Sequence, residues 1–276
     1  MNYNKPEDLV DLLISAAKHK VKTPLFNTFI LAILAGAFIS FGAAASCAAS
    51  YGIKSLGIAK LVSGVVFPVG LIIIVLTGSH LFTSSCMNVT ACWAKKSAWR
   101  AMLKNIGIVY IGNFIGAALV ALAIYYSGEF NYSEGALGGY TIKVAVQKLT
   151  LSYPTAIISG ILCNILVCLA VILSFAARDI VGKVVAIFCP IFVFIISGFE
   201  HCVANMFYLP AGILASKNSQ YAAYAMDQYH LTAEQISTLD LSNMLCLNII
   251  PVTIGNIIGG AFILSGMLYV AYKRGA

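Results

Sequence analysis

Glu200 and His201 stand side by side in an otherwise apolar stretch, "IISGFEHCVANMF", residues 195–207. Histidine can donate or accept a hydrogen bond and can exchange a proton, with an unperturbed pKa of about 6.5. Ionisable side chains within apolar segments are costly to bury, and they often mark a path for ions or protons. The pair therefore predicts either a polar path through an apolar protein or a structural pair inside a packed helix bundle.

The composition indicates that this pair belongs to a membrane protein. Of the 276 residues, 60% are hydrophobic and 10% are charged, and the mean hydropathy is +0.91. The apolar runs reach about 20 residues, the length of a helix that crosses a bilayer, and they lack the alternation of barrel strands. We predict an all-α integral membrane protein with six transmembrane helices. The predicted spans are residues 25–50, 61–93, 106–127, 155–177, 184–216 and 244–272.

The charges predict the orientation of these spans. Twelve of the 17 Lys and Arg residues fall on the side of the termini, so the positive-inside rule predicts a cell-membrane protein with both termini in the cytoplasm. The net charge of +7 is spread over loops and does not indicate nucleic-acid binding. Residues 1–24 carry charges and do not resemble a signal peptide. Leu9, Leu12, Leu13 and Ala16 predict the apolar face of a helix on the membrane surface.

Two of the predicted spans are too long for one straight helix. Residues 61–94 contain no Lys, Arg, Asp or Glu, and as a helix they would extend roughly 50 Å at about 1.5 Å per residue. Residues 184–216 have a similar length. Each run contains a polar, glycine-bearing stretch, "LTGSHLFTSS" at 76–85 and "SGFEHCVAN" at 197–205. Because non-helical backbone within a membrane must be buried in protein or line a cavity, we predict two broken helices with the site at the breaks.

An internal repeat supports the two breaks. "TGSHLFTSSCM" at 77 aligns with "SGFEHCVANMF" at 197, "GNFIGA" at 112 with "GNIIGG" at 255, and "AGAFIS" at 35 with "SGILCN" at 159. Each half holds three crossings, an odd number, so the halves must be inverted relative to each other. The chain is then one channel-like domain, 1–276. It comprises a cytoplasmic amphipathic segment (1–24), a first half-repeat (25–128), an extracytoplasmic connection (129–154) and a second half-repeat (155–276).

The motifs "LFTSS", "GFEHCVANMFYLPAGI" and "NIIPVTIGNIIGG" together resemble the formate/nitrite transporter family over essentially the whole chain. The resemblance implies an aquaporin-like protomer, a homopentamer and one path for small monovalent anions through each protomer. Within the family the chain is most similar to the hydrosulfide branch. Hydrosulfide is therefore the expected substrate, with formate and nitrite also expected to pass and either of them the alternative physiological substrate.

The resemblance also implies roles for individual residues. It matches the central pore histidine to His201, the preceding acid to Glu200 and a hydroxyl donor to Thr83. It matches an apolar constriction toward the cytoplasm to Leu71 and Leu81, and one toward the outside to Phe67 and Phe194. It matches a vestibule lysine to Lys148, and inward-facing amides to Asn164 and Asn256, with Asn248 as a competing amide. His80 departs from the family, which has an acidic residue before "LFTS".

Each of these residues also has a purely structural interpretation. The apolar constriction residues would otherwise be ordinary core or lipid-facing side chains, and Lys148 a solvated loop charge. Glu200 is expected to support the break, because a pore-lining carboxylate would repel an anion. The His201 imidazole could hydrogen-bond the anion or lend it a proton.

Other functional classes lack their motifs. An intramembrane serine hydrolase using Ser79 would need a Gly-x-Ser-Gly turn, which "LTGSH" does not supply. A neutral-solute pore of the aquaporin class would need paired Asn-Pro-Ala motifs, and the eight cysteines have no metal-ligand spacing. We therefore predict a channel with no enzymatic activity and no cofactor.

Overall fold

The computed structural model describes residues 3–273, and nearly all of them are helical. Within this range there is no β-strand, and Tyr3 and Ala177 form an isolated bridge. The helices of the first half are α1 (Pro6–Lys22), α2 (Leu25–Ser50), α3 (Leu56–Val66), α4 (Val69–Thr77), α5 (Phe82–Ser85), α6 (Val89–Trp93) and α7 (Trp99–Ser127). A 3-10 turn, Cys86–Asn88, joins α5 to α6.

The second half repeats this order after a connecting helix. The 3-10 turn Glu129–Asn131 leads into the connection, α8 (Tyr132–Leu149). Then come α9 (Tyr153–Ala176), α10 (Ile180–Ser197), α11 (Cys202–Ser216), α12 (Ser219–Tyr229), α13 (Ala233–Ser237), α14 (Leu241–Asn243), α15 (Ile250–Ile257) and α16 (Gly266–Lys273). The π-helical turns Met244–Ile249 and Ile258–Ser265 link α14 to α15 and α15 to α16 within one continuous helical segment.

Six helical segments are long and apolar enough to cross a membrane, which confirms the predicted number. They are Leu25–Ser50, Leu56–Thr77, Trp99–Ser127, Tyr153–Ala176, Ile180–Ser197 and Leu241–Lys273. Several begin earlier than predicted. The second starts at residue 56 rather than 61, and the third at 99 rather than 106. The predicted spans excluded Lys60 and Lys104 because of their charge. Both side chains are exposed, and long basic side chains at helix ends can extend out of the apolar layer, so the helices include them.

Both predicted breaks are present. α4 ends at Gly78 and α10 ends at Gly198, each in the left-handed region with φ of 71° and 72°. Glycine adopts this conformation without the strain that a side chain would add, so it terminates a helix at this point. The chain then runs extended for three residues before α5 and α11 begin. A second interruption, at Phe67 and Pro68, separates α3 from α4.

The two halves pack in the same way. α2 packs along α7, and α9 packs along α15. A Cβ placed on Gly116 would lie 2.0 Å from the Ile33 carbonyl oxygen, and one on Gly259 would lie 2.3 Å from that of Ile161. These glycines allow the backbones to touch, as small residues commonly do between membrane helices. The halves also interlock, because α11 contacts α7 and α5 contacts α9.

These contacts correct one part of the repeat alignment. Asn113 of α7 bonds the Ala32 carbonyl, and the matching Asn256 of α15 bonds the Gly160 carbonyl. Ala32 is thus the structural counterpart of Gly160. The pairing of "AGAFIS" with "SGILCN" is wrong by one helical turn. A shift of one turn keeps small residues on the same face, so the sequence pattern does not distinguish the two registers.

The buried face of the N-terminal helix α1 overlaps the predicted one, since Leu13 is buried and Leu9 and Ala16 are partly buried. Val10, Leu13 and Ala17 are buried, whereas Leu12 is 37% exposed. The buried residues recur at three and four positions, the spacing of one helix face. This face packs against α6 and α9, so α1 rests on the protein itself.

Candidate functional site

His201 and Thr83, predicted from different halves of the chain, lie in direct contact. The Nε2 atom of His201 is 2.9 Å from the Thr83 hydroxyl, and both residues are buried. His201 directly precedes α11, and Thr83 lies in the first turn of α5. The two breaks therefore meet at a single polar contact in the interior of the bundle.

The hydrogen bonds of His201 determine its tautomer. Its Nδ1 atom accepts a hydrogen bond from the Ala204 backbone N–H at 3.0 Å, so His201 acts as the N-cap of α11. A nitrogen that accepts cannot carry a proton, so a neutral ring holds its proton on Nε2 and donates it to Thr83. The Thr83 hydroxyl hydrogen is then free to be donated to another acceptor.

Glu200 faces away from this contact, into a network of its own. Its carboxylate accepts hydrogen bonds from Lys148 Nζ at 3.0 Å, Asn205 Nδ2 at 2.6 Å and Asn248 Nδ2 at 3.3 Å. The side chains of Lys148 and Glu200 are only 14% and 7% exposed. The lysine matched to the vestibule is thus paired with a carboxylate, and Asn248 belongs to this network.

Asn256 and Asn164 hold the breaks in place. The Asn256 Oδ1 atom accepts from the Cys202 N–H at 2.9 Å, and its Nδ2 donates to the Gly160 and Glu200 carbonyls at 2.7 and 3.0 Å. Asn164 Nδ2 donates to the carbonyls of Thr83 and Asn256. Both amides are buried and both Nδ2 atoms bond backbone carbonyls, so they fix the shape of the site.

Asn113 performs the same task at the first break, and the sequence analysis did not single it out. Its Oδ1 accepts from the Phe82 N–H at 2.7 Å, and its Nδ2 donates to the carbonyls of Ala32 and His80. Each helix that follows a break is therefore held at its first N–H by an asparagine. The signal was the shared "GNxIG" motif, which served only to align the two halves of the repeat.

Aromatic rings stand on one side of the His201 contact. The centroids of Phe67 and Phe194 are 5.6 Å apart in an edge-to-face arrangement, and those of Phe194 and His201 are 5.9 Å apart. A cavity of about 350 Å³ reaches these three rings from the face opposite α1. Leu71 lies one helical turn after Phe67, and Leu71 and Leu81 are 1% and 0% exposed within the apolar core.

His80 and Ser79 at the first break do not form a catalytic pair. The Ser79 hydroxyl bonds the Thr77 hydroxyl at 2.8 Å. His80 is buried, and its Nδ1 atom has no hydrogen-bond partner among residues 3–273. Within the same residues no group of His, Cys, Asp and Glu side chains could hold a metal ion. The geometry therefore gives no support to the serine hydrolase alternative.

Comparisons with known proteins agree with this architecture. The sequence profile of the Formate/nitrite transporter family matches residues 7–271. The chain belongs to the formate/nitrite transporter family. Its homologues in this family are channels or transporters and not enzymes.

Several relatives carry more specific names. The chain is 37% identical to the formate channel FocA of Escherichia coli (strain K12), over 98% of each chain. It is 35% identical to the formate channel BtFdhC of Bacillus thuringiensis, over 99% of this chain and 98% of the relative. The prediction of hydrosulfide gains no support from these names.

Two solved structures share the fold. One, described as a pentameric formate channel with formate bound, superposes with a TM-score of 0.79 at 32% identity, over 90% of this chain and 97% of that chain. The other, an FNT family ion channel, superposes with a TM-score of 0.78 at 23% identity, over 96% of this chain and 98% of that chain. The predicted family and fold class are thereby confirmed.

Proposed function

We propose that this protein is a channel for small monovalent anions and that formate is the first substrate to test. The observation that carries the proposal is the contact between His201 and Thr83. It places two polar side chains in an apolar bundle, at the end of a cavity that opens on one face. Formate channels among the relatives support the choice of formate.

The proposed path has apolar constrictions on both sides of the polar contact. Phe67 and Phe194 border the cavity, and Leu71 and Leu81 form the constriction on the other side. An unpaired ion in a medium of low dielectric faces a penalty of tens of kcal/mol. Narrow apolar constrictions thus oppose large or strongly hydrated ions, while a small anion can exchange part of its water shell for hydrogen bonds at the polar contact.

The tautomer of His201 determines what the site offers to an anion. With Nε2–H donating to Thr83, the Thr83 hydroxyl supplies the hydrogen bond to the passing anion. Lending a proton to the anion would first require an imidazolium, whose Nδ1–H would face the Ala204 N–H and break the cap of α11. The geometry therefore favours a neutral His201 that orients the Thr83 hydroxyl toward the anion, and proton transfer would need the His201 ring to turn.

Assembly and orientation belong to the same proposal. The superposition on a pentameric channel supports a homopentamer with one path per protomer. The excess of Lys and Arg on the side of the termini supports cytoplasmic termini in the cell membrane. The face opposite α1, with the cavity, would then face the outside.

Parallel uptake assays test the proposal and the substrate. Proteoliposomes with the purified protein are supplied with formate, nitrite or hydrosulfide, and glycerol-driven swelling is measured as the neutral-solute control. We expect formate uptake well above that of empty vesicles, without glycerol-driven swelling. Faster uptake of hydrosulfide would support the hydrosulfide prediction, and uptake of no anion would contradict the proposal.

A further inference from the structure

The cavity that leads to Phe67 and Phe194 has a strongly positive lining. Four of its lining residues are lysines, Lys54, Lys60, Lys143 and Lys148, and no Asp or Glu among residues 3–273 lines it. Three of these lysines were not assigned any role from the sequence. An ammonium group without a negatively charged partner is the one available to a ligand.

Of the four charges, that of Lys148 is paired with a carboxylate, and that of Lys60 lies near a partial negative charge. Lys148 is bonded to Glu200 at 3.0 Å. The Lys60 Nζ atom lies beside Gly198, at the C-terminal end of α10, where the carbonyls of the last turn carry a partial negative charge. These lysines contribute less net field to the cavity than their number suggests.

Lys143 is held differently. Its Nζ atom lies 5.2 Å from the centre of the Tyr140 ring and 5.1 Å from that of the Tyr229 ring. Within residues 3–273, no carboxylate lies within 4.0 Å of it. Two aromatic faces hold an ammonium in position and remove part of its water without neutralising it. Burial also lowers the pKa of Lys143, as expected for a partly desolvated cation without a counter-ion.

We propose that Lys143, clamped by Tyr140 and Tyr229, is an anion-binding site in the lining of the cavity, with Lys54 as a second positive charge in the same lining. The ligand is a small monovalent anion such as formate, captured before it reaches the aromatic constriction. The choice of ligand rests on the proposed function. In this arrangement Lys143 supplies the capture charge, while Lys148 supports the break through Glu200.

The site should act mainly through its charge. Because a focused positive field raises the capture rate of anions, Lys143→Gln should raise the apparent KM for formate uptake about fivefold at low salt, with the maximum rate nearly unchanged. The difference should shrink at high ionic strength, where the field is screened. Lys143→Arg should retain capture. A merely structural role would instead lower the maximum rate at every salt concentration.

Lys217→Gln is the matched control. Lys217 lies at the end of α11 on the same face, it is exposed, and it is not among the residues that line the cavity. The same charge is thus removed from the same face, and we expect an unchanged KM. Equal KM values for Lys143→Gln and Lys217→Gln would overturn the proposal.

Binding measured without transport separates this proposal from the proposed function. Line broadening of ¹³C-formate is recorded with the purified protein in detergent, for wild type and both glutamine variants. We expect saturable broadening that is lost in Lys143→Gln alone. Broadening without uptake would support the anion-binding site at Lys143 and contradict the proposed channel function. Equal broadening in all three proteins, or no broadening with wild type, would overturn the proposal of an anion-binding site at Lys143.

Discussion

At the scale of single residues, His201 has two tasks. It caps α11 through Nδ1 and meets Thr83 through Nε2. The cap keeps Nδ1 unprotonated, so the ring proton of the neutral imidazole lies on Nε2 and is donated to Thr83. The same side chain therefore caps the N-terminus of α11 and determines which hydrogen-bond donor faces Thr83.

Replacing Thr83 by Val tests the polar contact. Valine has nearly the same shape but removes the hydroxyl that is the partner of His201, so we expect formate uptake to fall about tenfold, equivalent to one hydrogen bond of roughly 1.4 kcal/mol. Thr90→Val is the matched control, because the buried Thr90 hydroxyl bonds only the Met87 carbonyl. Equal uptake by the two variants would show that the Thr83 hydroxyl takes no part in conduction.

Replacing Glu200 by Gln tests the ion pair. Because removal of one partner leaves the Lys148 ammonium buried and unpaired, we expect a loss of about 3 kcal/mol of stability, measured as a lower Tm in detergent. The double variant Glu200→Gln, Lys148→Met removes the orphaned charge and should recover part of that loss. A double variant less stable than the single one would argue against charge pairing as the reason.

The sequence predicted the site residues better than their partners. Family resemblance brought His201 and Thr83 together, and the structure places them in contact. The sequence did not predict that Lys148 bonds Glu200, 52 residues away. That contact depends on the direction in which the non-helical backbone at the second break points the Glu200 carboxylate. Lys143 has no motif at all, and only the folded chain brings Tyr140 and Tyr229 around it.

At the scale of helices, the two asparagines Asn113 and Asn256 play equivalent roles. Each accepts from the first N–H after a break and donates to two carbonyls. We expect Asn113→Ala and Asn256→Ala each to cost about 3 kcal/mol, at about 1 kcal/mol for each lost bond, with similar falls in Tm. Asn88→Ala, which loses one long bond to Asn105, is the milder control. A much smaller effect of Asn113→Ala would contradict the equivalence.

Close helix packing gives a second test at this scale. In Gly116→Ala the new Cβ would lie 2.0 Å from the Ile33 carbonyl oxygen, so α2 and α7 would have to separate, and we expect loss of folded protein. Gly107 lies in the same helix with nothing within 4 Å of its Cβ position. Gly107→Ala should keep or raise the Tm, since alanine favours a helix by about 1 kcal/mol over glycine. Comparable yields of both variants would contradict this packing.

Length and charge were sufficient to predict the spans and the breaks. A run of more than 30 apolar residues with a polar glycine-bearing centre has few other solutions in a bilayer. The alignment of α2 with α9 was predicted one helical turn out of register, and the π-helical turns at Met244–Ile249 and Ile258–Ser265 were not predicted, because both depend on contacts between helices. Such contacts also determine which residues of α1 are buried.

At the scale of the whole molecule, a symmetric backbone carries an asymmetric site. The inverted halves share their breaks, glycines and asparagines, yet the first break presents His80 and Leu81 where the second presents Glu200 and His201. Four lysines line the cavity on the face opposite α1. In the proposed channel, the repeat would build the path, and the differences between its copies would lead an anion first past the lysines, then past the aromatic rings, then to the polar contact.

The most direct test of this account is formate uptake by proteoliposomes containing His201→Asn. Asparagine is a good N-cap, so the variant should keep α11 in place while removing the Nε2 donor at Thr83. We predict uptake at least about tenfold below wild type with a Tm close to that of wild type. Uptake equal to wild type would contradict the claim that the anion passes at the contact between His201 and Thr83.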